Sequence, residues 1–252
     1  MGVPFLHACE LYDQRRYDLA EAVIRRLLAE SPESAEAIAL LGMCRVERGF
    51  KDEGYKWATQ ALRLGPTVPF AHYAMAVIRI SRNQYASANA AIDEAIRLDP
   101  NRASFFFMRA SIHVHDRRFD EALEAAEQGL RLSPEHSGGH TMRALALERL
   151  DRPHEAEAAI VEALRLNPEN NHTHTLEGWR LLQRGQHQEA GTHFLEALRI
   201  NPESRLALNG HVWVMISERR ASTKPLTPRS IFFVCCLFAG LILLRWLFIS
   251  QE

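Results

Sequence analysis

Six prolines, Pro32, Pro66, Pro100, Pro134, Pro168 and Pro202, fall at an unbroken 34-residue interval. Each closes a similar stretch. FDEALEAAEQGLRLSP (119–134) is followed by PHEAEAAIVEALRLNP (153–168) and HQEAGTHFLEALRINP (187–202). Upstream, the same frame holds YASANAAIDEAIRLDP (85–100), KDEGYKWATQALRLGP (51–66) and, more loosely, YDLAEAVIRRLLAESP (17–32). A period of this length marks a supersecondary unit that cannot bury its apolar face alone and is stable only when stacked on copies of itself. The 252 residues therefore read as an elongated array rather than as one or two globular domains.

Each unit holds two helices. In the fourth, ASFFFMRASIHVHD (103–116) is the first and FDEALEAAEQGLRLS (119–133) the second. The second places Phe119, Ala122, Leu123, Ala126 and Leu130 on one helical stripe. Pro134 stops it, having no N–H for the ladder. Three positions stay small: the eighth (Ala8, Gly42, Ala76, Ala110, Ala144, Gly178), the twentieth (Ala20, Gly54, Ala88, Ala122, Ala156, Ala190) and, after Leu27 in the first unit, the twenty-seventh (Ala61, Ala95, Gly129, Ala163, Ala197). Small residues there let paired helices approach closely, and a bulky one would overpack by about 1–3 kcal/mol. The twenty-eighth position, always Leu or Ile, is expected to supply the core between units.

With these residues in place the chain resembles the tetratricopeptide repeat family: a 34-residue helix–turn–helix, small residues at positions 8, 20 and 27, an aromatic near 17 and proline at 32. The pentatricopeptide readers of RNA share the helix pair, but their period is longer and lacks this proline beat. The first unit departs most, with Glu30 where the pattern has Leu and Pro4 opening its first helix; the fifth has Pro153 in place of the aromatic. The resemblance implies an all-α, right-handed superhelical solenoid of six helix pairs (1–34, 35–68, 69–102, 103–136, 137–170 and 171–204). A capping helix (205–220) and a linker with two prolines (221–230) are expected to follow.

The next stretch, IFFVCCLFAGLILLRWLFI (231–249), would rise about 28 Å as a helix, close to a bilayer's hydrocarbon thickness. Its one charge, Arg245, lies near the far end, where it can snorkel beside Trp246. A single transmembrane helix is the reading; an interfacial or buried helix is the alternative. Arg219, Arg220, Lys224 and Arg229 precede the span, so the positive-inside rule leaves the repeats facing the cytoplasm, as in a tail-anchored protein. Cys235 and Cys236 are candidates for acylation or simply small apolar residues.

Composition narrows function. Thirty basic against 31 acidic residues exclude a general nucleic-acid binder. Residues 218–252 hold five Lys/Arg and two Glu, so the remaining 25 basic and 29 acidic residues make the repeats acidic. The four cysteines form no metal spacing or disulfide framework, and the N-terminus has no secretory signal or myristoylation motif. There is no phosphate loop, nucleophile elbow or HExxH, so no catalytic residue, cofactor or metal site is expected and the chain is read as a non-enzyme. His140 and His174 share the fourth position of successive repeats, without an accompanying carboxylate or thiolate.

What the resemblance implies about a site lies on the inner face of the array, lined by positions 2, 5, 9 and 12 of each first helix. These positions make one stripe. Their apolar members give the candidate peptide groove: Tyr12, Met43, Phe70, Tyr73, Val77, Ile80, Phe107, Trp179 and Trp213. The family's carboxylate clamp for chaperone C-termini needs Lys, Arg and Asn at set positions here, and repeats one to six have none, so no chaperone binding of that kind is expected. A hydrophobic or amphipathic peptide segment of a protein partner is expected instead. Some of these residues could equally be core, or be covered by the chain itself. Two functions stay open: a membrane-tethered adaptor, or a structural or assembly subunit of a larger membrane complex whose groove is permanently filled.

Overall fold

A computed structural model of the chain describes residues 2–221, and these hold thirteen helices and no strand. First helices are α1 (Val3–Asp13), α3 (Ala35–Glu47), α5 (Pro69–Ser81), α7 (Ala103–His115), α9 (Ser137–Arg149) and α11 (Asn171–Gln183). Their partners are α2 (Tyr17–Glu30), α4 (Lys51–Leu64), α6 (Tyr85–Leu98), α8 (Phe119–Leu132), α10 (Pro153–Leu166) and α12 (His187–Ile200), and α13 (Arg205–Ala221) follows. The stretch 231–249, read from sequence as a membrane span, lies outside the described residues, as do Cys235 and Cys236. Among the described residues no helix is long and apolar enough to cross a membrane.

Two turns generate the repeat. Within each helix pair, position 15 is left-handed: Arg15, Gly49, Asn83, Arg117, Asp151 and Gly185 all have φ between 57° and 93°. The following N–H then reaches back five residues, as from Arg118 to the His113 carbonyl at 2.8 Å, in a Schellman closure. Between pairs, proline acts through the residue before it. Ser31, Gly65, Asp99, Ser133, Asn167 and Asn201 all have φ between −132° and −144°. Steric pressure from the proline ring drives them out of the helical region. The proline then occupies the second place of a turn closed by position 34, as in Ser34 N–H to the Ser31 carbonyl at 3.1 Å. Position 34 also caps the next helix: Ser34 Oγ accepts from Ala37 N–H at 3.3 Å, His136 Nδ1 from Gly139 N–H at 3.0 Å and Asn170 Oδ1 from Thr173 N–H at 3.2 Å.

The chain divides into two compact units, up to Leu176 and from Glu177 onward, the division falling within α11. In the first unit each first helix packs on the next first helix, from α1 on α3 to α7 on α9, while α2, α4, α6 and α8 each also touch the first helix that follows. Small residues set the approach: a Cβ on Gly54 would lie 2.6 Å from the Gly42 carbonyl, so α3 and α4 meet backbone to backbone. The fully buried seat of the core is position 24 (Ile24, Ala58, Ile92, Ala126, Ile160 and Phe194, none above 2 % exposed). Position 28, expected to fill that role, is only half-buried in every repeat. Glu21 is buried between α2 and α3 with Arg25, Arg45 and Arg48 at 3.3, 3.4 and 3.1 Å. In the second unit Phe194 is the centre: Gly178 and Gly210 yield space to its ring, and Leu181, Ala207 and Val214 enclose it.

Candidate partner-binding face

The inner stripe of the first unit is apolar at its N-terminal end and polar toward α11. Ala39, at position 5 of the second repeat, is small and fully buried, so the rings on either side close over it. Phe5 meets Phe70 edge-on at 5.6 Å, Phe70 stacks on Tyr73 at 5.8 Å, and Tyr73 on Phe105 at 5.5 Å. Phe5 and Phe105 are buried; Phe70, Tyr73, Val77 and Ile80 each keep part of their surface open. Tyr12 is half-buried, packs edge-on against Tyr17 at 5.5 Å and donates to Glu47 Oε1 at 3.3 Å.

Two candidates are corrected. Met43 is 3 % exposed, in the same cluster as Phe5, Phe70 and Tyr73, whose rings cover the second repeat. Phe107 is 8 % exposed and does not line a groove. Its ring is inserted between α8 and α9, where a Cβ on Gly129 or Gly139 would lie 2.4 or 2.5 Å from it, and it stacks on His136 at 4.4 Å. Repeat four carries Ala126 and Gly129 where its neighbours carry bulkier pairs, and Phe107 fills the difference. In the second unit Trp179 lies half-buried edge-on to Phe194 at 5.5 Å, and Trp213 is 51 % exposed on α13.

Burial dominates the titration of the groups along the first unit's inner face. Burial, then the Asp13 carboxylate, pushes Tyr73 up to about 12, because surrounding side chains exclude most bulk water. Burial and Glu47 raise Tyr12 well above the ordinary phenol range. Cys9 is pushed up to about 11 by burial, then by Asp13 and Glu10, which leaves a poor nucleophile. His172, at the start of α11, is lowered first by desolvation and then by Arg15 of the first repeat. Toward α11 the stripe closes in hydrogen bonds: Thr141 and Thr173 hydroxyls lie 2.6 Å apart and Asn170 Nδ2 donates to Ser137 Oγ at 3.0 Å.

The repeated histidines have a structural task that sequence reasoning missed. His72, His140 and His174 each place Nε2 within 2.8–2.9 Å of the carbonyl of Pro66, Pro134 and Pro168. A carbonyl only accepts, so each ring donates and ties the inter-repeat turn to the next helix. The six-residue spacing from proline to histidine is the signal that could have found it. Among the described residues no cluster of three His, Cys, Asp or Glu could hold a metal.

Stacked helix pairs that hold an apolar stripe half-open define a helical-repeat interaction scaffold. The chain belongs to the tetratricopeptide repeat family, whose profile matches residues 5–69, 73–137 and 141–205. No curated protein matches the sequence. Among solved structures, a chain of the APC/C hetero-tetramer Cut9–Hcn1 is similar with a TM-score of 0.67 at 15 % identity, over 84 % of this chain and 42 % of that one. This chain thus spans less than half the length of that relative. PilF of Pseudomonas aeruginosa is similar with a TM-score of 0.60 at 18 % identity, over 81 % of this chain and 98 % of PilF. MamA (41-end) of Desulfovibrio magneticus RS-1 follows at 0.53 and 18 %, over 68 % and 97 %. At these identities the likeness is one of fold.

Proposed function

We propose that the chain is a membrane-anchored, non-catalytic adaptor. The apolar stretch 231–249 fixes it in a bilayer as a single-pass protein with its repeats on the cytoplasmic side. The inner face of the first unit takes a hydrophobic or amphipathic segment of a protein partner, in the helix-in-groove manner. The observation that supports this most is the set of half-open apolar side chains Tyr12, Phe70, Tyr73, Val77 and Ile80, on a face whose neighbours are otherwise closed. Met43 and Phe107 drop out of that face. Trp179 and Trp213 belong to the second unit, where Trp179 is kept as a contact of the same kind.

The test is a crosslinking pull-down from the full-length membrane-bound protein and its F70S/V77S variant. Both substitutions install what repeat four already carries at those positions, Ser104 and Ser111, so helicity is retained. Partner recovery is expected to fall to background; undiminished recovery would sink the groove assignment. Deleting 231–252 is expected to move the protein to the soluble fraction, and retention on membranes would refute the anchor.

A further inference from the structure

The last described helix carries an apolar stripe that the array does not use. Ala207, Gly210 and Val214 of α13 are buried, and a Cβ on Gly210 would come 2.2 Å from the Phe194 ring, so that face is closed against α12. Turned away from it, Leu206, Trp213 and Ile216 are 66, 51 and 41 % exposed. Their spacing of seven and three residues puts them on one line, interrupted by the exposed Asn209.

Charge and chain length both bear on what covers this line. Residues 205–230 contain Arg205, Arg219, Arg220, Lys224 and Arg229 against a single acid, Glu218, in a chain whose preceding repeats are acidic. The apolar stretch begins at Ile231, ten residues after α13 ends at Ala221. Ten residues, even fully extended, reach only about 35 Å. A chain held by that stretch therefore keeps the C-terminal end of α13 within about one bilayer thickness of the headgroups. An exposed tryptophan among aliphatic residues, with arginines beside it, matches the composition of helices that lie in the membrane interface.

We propose that the outward stripe of α13 rests in the headgroup region of an anionic bilayer, with Trp213 as its anchor and Arg205 facing lipid phosphates. This rests on the membrane anchoring proposed above, and takes Trp213 out of peptide recognition. The adaptor then has a second hold on the membrane, so that its last repeat is seated at the surface.

The experiment uses the full-length chain in phosphatidylcholine vesicles with and without phosphatidylserine, prepared with ordinary lipids or with acyl chains brominated near the headgroup. Trp246 is removed by W246F, and this variant is compared with W246F/W213F, in which Trp57 and Trp179 remain as a common background. Vesicle flotation and helicity are measured for both. The expected result is bromine quenching in W246F that is lost in W246F/W213F and is stronger with phosphatidylserine. Equal quenching of two chains that both float overturns this inference and leaves the anchor standing. Trp213 shielded from aqueous iodide yet unquenched by bromine means that a protein segment covers the stripe, and also overturns it. Failure of the full-length chain to float overturns the anchor and the inference together.

Discussion

Replacing Phe107 and Gly129, singly and together, tests whether repeat four is closed by a ring borrowed from its first helix. The Phe107 side chain is 8 % exposed, and truncating a buried phenylalanine to alanine costs about 3–5 kcal/mol through lost transfer energy and the cavity left behind. Relaxation is limited here, because the walls nearest the ring are Gly129 and Gly139, which have no side chains to move in. F107A is therefore expected at about 4 kcal/mol. G129A alone puts a methyl 2.4 Å from the ring, an overpacking cost of about 1–3 kcal/mol that the helix preference for alanine over glycine, about 1 kcal/mol, only partly offsets. In the F107A background the clash is gone and the same substitution fills the cavity while gaining helix propensity, so it is expected to stabilise by about 1 kcal/mol or more. The sign of the G129A effect thus inverts, with a coupling of about 1–3 kcal/mol. Guanidinium unfolding of residues 1–221 for the four members of the cycle, compared by transition midpoint, reads this directly. A G129A effect of one sign in both backgrounds would refute the placement of the ring.

Two further outcomes follow from the turns. Arg117 is exposed and left-handed at φ 61°, a conformation that costs an L-residue about 1–2 kcal/mol, so R117G is expected to stabilise by about 0.5–1 kcal/mol after the flexibility of glycine in the unfolded chain is deducted. G49A is its converse: φ is 93° and a Cβ would touch nothing within 4 Å, so the expected loss of about 1 kcal/mol is backbone strain alone, and thermal melts showing no change in either variant would exclude that origin. His113, His136 and His172 are all held below the ordinary 6.5, chiefly by desolvation, so the folded chain takes up protons less readily than the unfolded one. Their stability is present in full above about 6.5 and is lost as pH falls below it. For His136 the loss includes a bond, since a protonated Nδ1 cannot accept the Gly139 N–H. H136S, which installs the cap used at Ser34, is expected to flatten the fall in melting temperature between neutral pH and the acid side. An unchanged slope would show that His136 does not titrate with folding.

What was legible in the sequence is what repeats. The 34-residue proline beat located the helix pairs, because proline disfavours the helical region for the residue before it and each of these six residues has left it. Position 15 carried a signal too, in Gly49, Asn83, Asp151 and Gly185, residue types that tolerate a left-handed turn. Arg15 and Arg117 at the same position hid it. Position 24 was legible in the same way, as Ile, Ala, Ile, Ala, Ile and Phe. Position 28, with its uniform Leu or Ile, looks more like a core in sequence but is half-covered in every repeat.

The inner face was legible only as a set of positions. Phe5, Ala39, Tyr73, Phe107, Thr141 and Thr175 all occupy position 5, on the same side of equivalent helices, and meet different fates. Tyr73 stays half-open between Phe70 and Phe105, whereas Phe107 turns into the core because glycines at 129 and 139, on two other helices, make room for it. Ala39 vanishes beneath rings from its neighbours, and Thr141 is buried in a bond to Thr173. Each outcome depends on residues 20 to 35 places away, which no single-helix pattern contains. Where a repeat departs from its neighbours at one position, it answers with a departure at another: Phe107 for Ala126 and Gly129, Phe194 for Gly178 and Gly210. An aromatic residue on the inner stripe is therefore a contact for a partner only if no glycine in the adjacent helices has made a place for it. By that criterion Tyr73 qualifies and Phe107 does not, and the two together show why a partner-binding face in such an array has to be read from pairs of departures rather than from the stripe alone.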